Sequence, residues 1–252
     1  MRCGSGLSSS ISGWRPRSSL EDGFPVMSIS RLFPLLLCAL LMVPLSGLQA
    51  QVQIADEDTE LPDYSLYYEG VEARDAGDMA TAVSKFTQAA EDGLAIAQHN
   101  LGVLYFSGEG VPQDYEQAFE WTRRAAEQGY LRAMVNLGVL YYNQLGVQPA
   151  WMSVWPLSLI NRSSNYKQAA RWYREAAAFD DGEAQYNLAT MYDDGVGVSQ
   201  DLAQAYMWAR LAQDNEVPQA VALVAELEVE MMAAQRSQAQ RDYANWVLEN
   251  RG

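Results

Sequence analysis

An all-α fold, a superhelical solenoid of about four to five stacked helix-turn-helix units, is what this sequence predicts, and three observations carry the prediction. The stretch from Ala97 to Gly129 recurs in edited form: Ala133-Met-Val-Asn-Leu-Gly-Val-Leu-Tyr141 repeats its opening after 36 residues, and Ala184-Gln-Tyr-Asn-Leu-Ala-Thr-Met-Tyr192 repeats it 51 residues later. Its second half returns as well, since Ala118, Trp121 and Ala125 reappear as Ala169, Trp172, Ala176 and as Ala205, Trp208, Ala212. The joining segments keep a shared chemistry, Gly108-Glu-Gly-Val111 leading to Asp114 and Gly195-Val-Gly-Val198 leading to Asp201. A fixed period of this size marks units that bury their apolar faces only by stacking on a neighbour.

The elements follow in chain order. Residues 1–26 are Ser-rich and aperiodic and read as an extended or misassigned start. Met27-Ser-Ile-Ser-Arg31, the apolar run Leu32 to Val43 and the exit Ser46-Gly-Leu-Gln-Ala50 together read as a secretory signal over residues 27–50. The run reaches only about 17 residues and is broken by Pro34 and Pro44, short of the roughly 20 a bilayer span needs, so cleavage is expected and not anchoring. Residues 51–63, with Asp56, Glu57, Asp58, Glu60 and Asp63, read as an acidic flexible spacer.

Helical periodicity starts near Tyr64 and fills residues 64–252. The expected units are about 64–93, 94–129, 130–180, 181–216 and a closing helical pair, 217–250, that covers the end of the core. The first unit turns tightly at Gly77-Asp78; the later ones carry longer loops, whose glycines allow positive φ and whose acid caps the next helix. In the third unit Gln144 stands at the first glycine position. Extra text at 148–164, including Trp151 and Trp155, separates Gly146-Val147 from Asn165, the expected cap.

Charge narrows the function classes. From position 51 onward there are 30 acidic and 13 basic residues, a net of 13 minus 30, or −17. That surface is repelled by phosphate backbones and anionic lipid, which argues against nucleic acid and suits a basic protein partner or plain solubility. Cys3 and Cys38 both lie in the segment expected to be removed. His99 is the single histidine, which excludes Ser-His chemistry and multi-histidine metal sites. The Gly-x-Gly loops follow no strand and precede no Lys-Ser/Thr, so they are helix turns and not phosphate cradles. No catalytic, cofactor-binding or metal-ligating residue is expected.

The pattern L-G-x-L-Y, then G-x-G-V, an acid, and A-x-x-W-x-x-x-A-A, carried by Leu101, Gly102, Tyr105, Gly108, Gly110, Val111, Asp114, Ala118, Trp121, Ala125 and Ala126, resembles the Sel-one-like repeat family, a branch of the tetratricopeptide class. The resemblance implies an α/α superhelix whose first helices line a concave wall that holds a protein or peptide partner, in an exported protein of the Gram-negative periplasm. Carried over by position, the groove falls on His99, Val103 and Phe106, on Arg132, Val135, Val139 and Tyr142, and on Glu183, Tyr186, Thr190 and Asp193. His99 is expected to touch the partner or the solvent. Trp151 and Trp155, outside the repeat, are a second candidate anchor, because large aromatic side chains dominate interface energetics. Two other readings stand beside this one: a cell-wall hydrolase or small-ligand binder, for which the sequence offers no nucleophile with a base beside it, and an N-terminally anchored envelope assembly component.

Overall fold

The computed structural model describes residues 62–147 and 157–251. Among them are ten α-helices and no strand: α1 Ser65–Asp75, α2 Met79–Glu91, α3 Ala95–Ser107, α4 Tyr115–Glu127, α5 Leu131–Asn143, α6 Leu157–Ala178, α7 Gly182–Asp194, α8 Leu202–Asp214, α9 Pro218–Glu230 and α10 Ala233–Asn250. From α1 to α9 each helix packs on the next, so α1·α2, α3·α4, α5·α6 and α7·α8 are successive antiparallel hairpins. None of these helices is long and apolar enough to cross a membrane.

Helix starts obey simple capping chemistry. Asp114 Oδ1 accepts from the N–H groups of Glu116 and Gln117 at 2.9 and 3.0 Å, and Asp201 Oδ1 from those of Ala203 and Gln204 at 3.0 and 3.1 Å. Asp78 does the same for Thr81, and Pro218 opens α9 at its first turn, where no N–H is needed. Asn165 departs from the expectation. It sits at the register of these caps, yet α6 begins at Leu157 and runs straight through it. Its side chain is buried and its Nδ2 has no partner.

The hydrophobic interior repeats with the sequence. Leu101, Leu137 and Leu188 are fully buried at one register of the first helices, with Ala97, Ala133 and Ala184 four residues before them. Burying a leucine contributes about 2 kcal/mol, and closely approaching helix backbones explain the alanines. In two hairpins a glycine of the first helix meets the second helix closely. A Cβ on Gly102 would stand 2.5 Å from the Thr122 hydroxyl of α4, and one on Gly138 would stand 2.5 Å from the Tyr173 ring of α6.

Between hairpins the tightest approach is made by the loop. Gly146 and Gly197 have φ of +68° and +73°, and a Cβ on either would collide with a backbone carbonyl of the preceding hairpin's second helix, that of Tyr115 and of Tyr166 respectively. The first loop position is left-handed in all three long loops, with Gly108 at +74°, Gly195 at +66° and Gln144 at +59°. Gln144 thus keeps the turn geometry at a residue for which it is unfavourable, and Leu145 N–H still reaches Leu140 O at 2.9 Å.

The C-terminal end differs from a closing pair. α10 turns back onto α8 and does not complete a hairpin with α9. Trp246 meets Trp208 edge-on at 6.2 Å, and the Tyr243 hydroxyl donates to Asp214 at 2.5 Å. Leu248, near the end of α10, is 73% exposed. Arg251 fastens this helix: it donates to both Asp180 carboxylate oxygens at 2.7 and 2.6 Å and to Asn215 at 3.1 Å. Burial pushes the Asp180 carboxyl up, but hydrogen bonds from Arg251, Asn215 and Gln185 outweigh it and hold the group below the usual carboxylate range. A depressed carboxylate stabilises the fold above its unfolded value and loses that contribution as pH falls through its folded one.

Two outcomes test this description. Gly146→Ala is expected to lower the unfolding free energy by about 2 kcal/mol or more, through the carbonyl clash and the positive φ, whereas Gln144→Gly is neutral or stabilising by up to about 1 kcal/mol; denaturation midpoints read both. Arg251→Ala is expected to cost about 1 kcal/mol and to raise amide exchange in α10 ahead of the rest of the chain, since the lost contacts are partly solvent-exposed.

Candidate functional site

The first helices α3, α5, α7 and α9 share one residue register, so each face can be compared along the stack. The inner registers of Ala97, Ala133 and Ala184 and of Leu101, Leu137 and Leu188 hold the same residue in each of α3, α5 and α7. Outward ones do not: Val103, Val139 and Thr190 are equivalent, as are Phe106, Tyr142 and Asp193. All six are half-buried.

The sequence-predicted groove residues sit differently from one another. Phe106 rests on Tyr115, with ring centroids 5.6 Å apart, and Tyr142 rests on Tyr166 at 5.2 Å. Each aromatic therefore props the mouth of its own hairpin and offers its other side outward. Burial, with the charges of Tyr166 and Asp194, pushes the Tyr142 hydroxyl up to about 12. Tyr186 is half-buried on α7, its hydroxyl pushed up by burial and by the charge of Glu226 on α9. Arg132 is exposed at the start of α5 and is the one cation on the four first helices. Val135 lies in the core at 6% exposure and reaches no groove surface. Trp151 and Trp155 fall outside the described residues.

His99 departs most from expectation. It is 7% exposed, neither solvent-facing nor on the groove surface, because the Tyr130 ring at the start of the next hairpin covers it at 5.1 Å. Its Nδ1 has no hydrogen-bond partner. Desolvation, helped by the Arg132 charge, lowers the imidazole pKa to about 4, so the ring is neutral at pH 7 and acts as a flat packing group.

Two buried amides escaped the sequence reading. Gln98 donates to Ala90 O at 3.0 Å and accepts from Gln128 Nε2 at 2.7 Å. In the last hairpin Gln185 donates to Ala177 O at 3.4 Å and accepts from Asn215 Nδ2 at 2.9 Å. The signal was present in the repeated Ala-Gln pairs Ala97-Gln98 and Ala184-Gln185. Both amides satisfy backbone groups where one hairpin turns into the next, which is structural work. Among the described residues no group of three or more His, Cys, Asp or Glu side chains is placed to hold a metal ion.

Stacked hairpins with capped glycine loops, a repeating core and a varied outward face define an α-helical repeat solenoid. The Sel1 repeat model matches residues 95–130, 131–149, 160–178 and 182–214, so the chain carries Sel1 repeats. A solved Sel1 repeat protein from Oxalobacter formigenes is similar at 26% identity and a TM-score of 0.56, with 74% of each chain covered. A second, c5321, a protective antigen of uropathogenic Escherichia coli strains with an SLR fold, is 25% identical over 73% of this chain and 45% of its own, with a TM-score of 0.44. No curated protein matches the chain.

The buried histidine yields a pH test. Its folded pKa is depressed, so the unfolded chain binds more protons between pH 6.5 and about 4, and stability falls with pH across that window. The contribution is about 3 kcal/mol. Asp181 acts with the opposite sign, because burial raises its carboxyl and its ionised form is the costly one. The wild type is therefore expected to lose about 3 kcal/mol of unfolding free energy relative to His99→Val, the residue at this register in α5, as pH falls from 7 to 4.

Proposed function

We propose that this chain is an exported protein-interaction scaffold that binds a protein or peptide partner through the concave wall formed by its first helices. Sel1 repeat proteins generally mediate protein-protein contacts. The observation that carries the reading is the division of the repeat into near-constant inner registers and unlike outer ones. A surface needed only for packing has no reason to set valine against threonine, tyrosine against aspartate and arginine against glutamate at equivalent positions, whereas a surface that reads a partner does.

Phe106, Tyr142 and Tyr186 supply half-exposed aromatic area at low entropic cost, Arg132 is the single positive anchor of α3, α5, α7 and α9, and His99 packs against the Tyr130 ring. Trp151 and Trp155, in the insertion 148–164, add a second candidate anchor. The signal-like segment 27–50 supports export to the periplasm of a Gram-negative bacterium, with no stable membrane insertion after cleavage. The binding role is non-enzymatic and needs no cofactor.

Affinity capture from envelope extract tests the proposal, with bait comprising residues 51–252. The wild type is expected to recover a specific protein, and Arg132→Glu combined with Tyr186→Ala to reduce its recovery at least tenfold while leaving the circular dichroism spectrum unchanged. Equal recovery by both baits removes the groove; a loss seen only with Trp151→Ala and Trp155→Ala moves the site to the insertion.

A further inference from the structure

Three registers of the first helices face the second helix of their own hairpin. One is held by Gln98, Met134 and Gln185, which are 5%, 6% and 0% exposed. The next is held by Gly102, Gly138 and Ala189, all buried, the first two meeting Thr122 and Tyr173 of the partner helix. The third is held by Phe106 and Tyr142, which lie on Tyr115 and Tyr166. In α9 these registers fall on Val221, Ala225 and Val229. All three are exposed, Val221 by 53% and Val229 by 87%. The spacing of four and four residues puts them on one helical face. Met232, 74% exposed, follows in the extended link to α10.

That face is where the fifth hairpin's second helix belongs. α10, which follows directly in the chain, lies on α8 instead, held there by Trp246, Tyr243 and Arg251. No described helix packs along the Val221 face of α9. The strip is bordered by acids: Glu228 on one edge, which accepts from the Tyr206 hydroxyl at 2.9 Å, and Glu226 then Glu230 on the other. α9 carries no lysine or arginine.

We propose that this face docks an amphipathic helix of a partner protein, apolar along its contact stripe and flanked by lysine or arginine, which supplies the missing second helix. Charge selects this occupant: three glutamates border the strip, and the net charge of −17 from position 51 onward sets a second copy of the chain against it. Val229 shares the register of the groove residues Phe106 and Tyr142, whereas Arg132 and Tyr186 lie at other registers, so variants of these two separate the groove from the strip.

The probe is a fluorescein-labelled synthetic peptide of residues 201–216, the helix that fills this register on α7, with Asp201→Lys, Asp214→Lys and Glu216→Lys. Titrated with the full chain, its anisotropy is expected to rise to saturation, and Val221→Lys or Val229→Lys, both at exposed positions, to weaken binding at least tenfold. Glu226→Gln with Glu230→Gln is expected to weaken it about threefold and to flatten its salt dependence, while Tyr186→Ala in the groove leaves it unchanged. No saturable binding, or binding indifferent to Val221→Lys and Val229→Lys, overturns the proposal. So does sedimentation showing a dimer of the full chain that Val221→Lys dissolves, for then a second copy fills the strip.

Discussion

The backbone contact between a loop glycine and the preceding hairpin is the constraint on which the rest of this structure depends. Gly146 and Gly197 each press against a carbonyl at the same register, Tyr115 or Tyr166, in the second helix before them. At Gly110 the corresponding neighbours are Met79 and Val83, the residues of α2 at the registers of Tyr115 and Phe119. At Gly146 and Gly197 the spacing between hairpins is therefore set by main chain, and at Gly110 by the side chains of α2. Once it is set, the alanines at Ala97, Ala133 and Ala184 follow, because the helices are too close there for anything larger. The leucines at Leu101, Leu137 and Leu188 fill the volume that remains.

The third hairpin shows how far one unit can stray while that contact is kept. Gln144 bears the left-handed conformation that glycine bears elsewhere, a cost on the order of 1 kcal/mol. Met134 occupies the register of Gln98 and Gln185, and Phe179, 68% exposed, that of their partners Gln128 and Asn215. An internally satisfied pair of amides has been exchanged for an apolar pair whose second member stays largely in water. Exchanging both partners together is the tolerable route, since removing one alone strands a buried polar group. Asn165 marks the limit of that tolerance: with α6 continuing upstream, its amide no longer caps anything and is left buried without a partner.

Much of the fold was legible because the signals that specify it are local. Asp78, Asp114 and Asp201 cap the helices they precede, and the glycine pairs turn the chain where they stand. Asn165 misled for an instructive reason: a capping side chain acts only where the helix has no upstream turn, and nothing within four residues of Asn165 shows whether the chain before it is helical. His99 misled for another. Its helical register points toward the groove, but the cover over it is Tyr130, the residue that opens the next hairpin, so its depth is a property of two units and not of one. The same holds for α10, whose apolar face was visible in Tyr243 and Trp246 while the choice between α8 and α9 as its seat depends on where Asp180 and Asp214 present their carboxylates to Arg251.

From α3 to α9 the charge of the first helices changes sign. α3 carries none, α5 carries Arg132, α7 carries Glu183, Asp193 and Asp194, and α9 carries Glu226, Glu228 and Glu230, while α1 ahead of them carries Glu69, Glu72, Arg74 and Asp75. A solenoid adds its units in a line, so a change of sign from one unit to the next becomes a change of potential along the molecule, partly screened beyond about 10 Å. An uncharged wall of the same shape would accept an extended segment in either direction. In the groove proposed above, a segment with an acid at one end and bases at the other would meet opposite charges in one orientation and like charges in the reverse. The constant inner registers make the stack, and the unlike outer residues give that stack a direction.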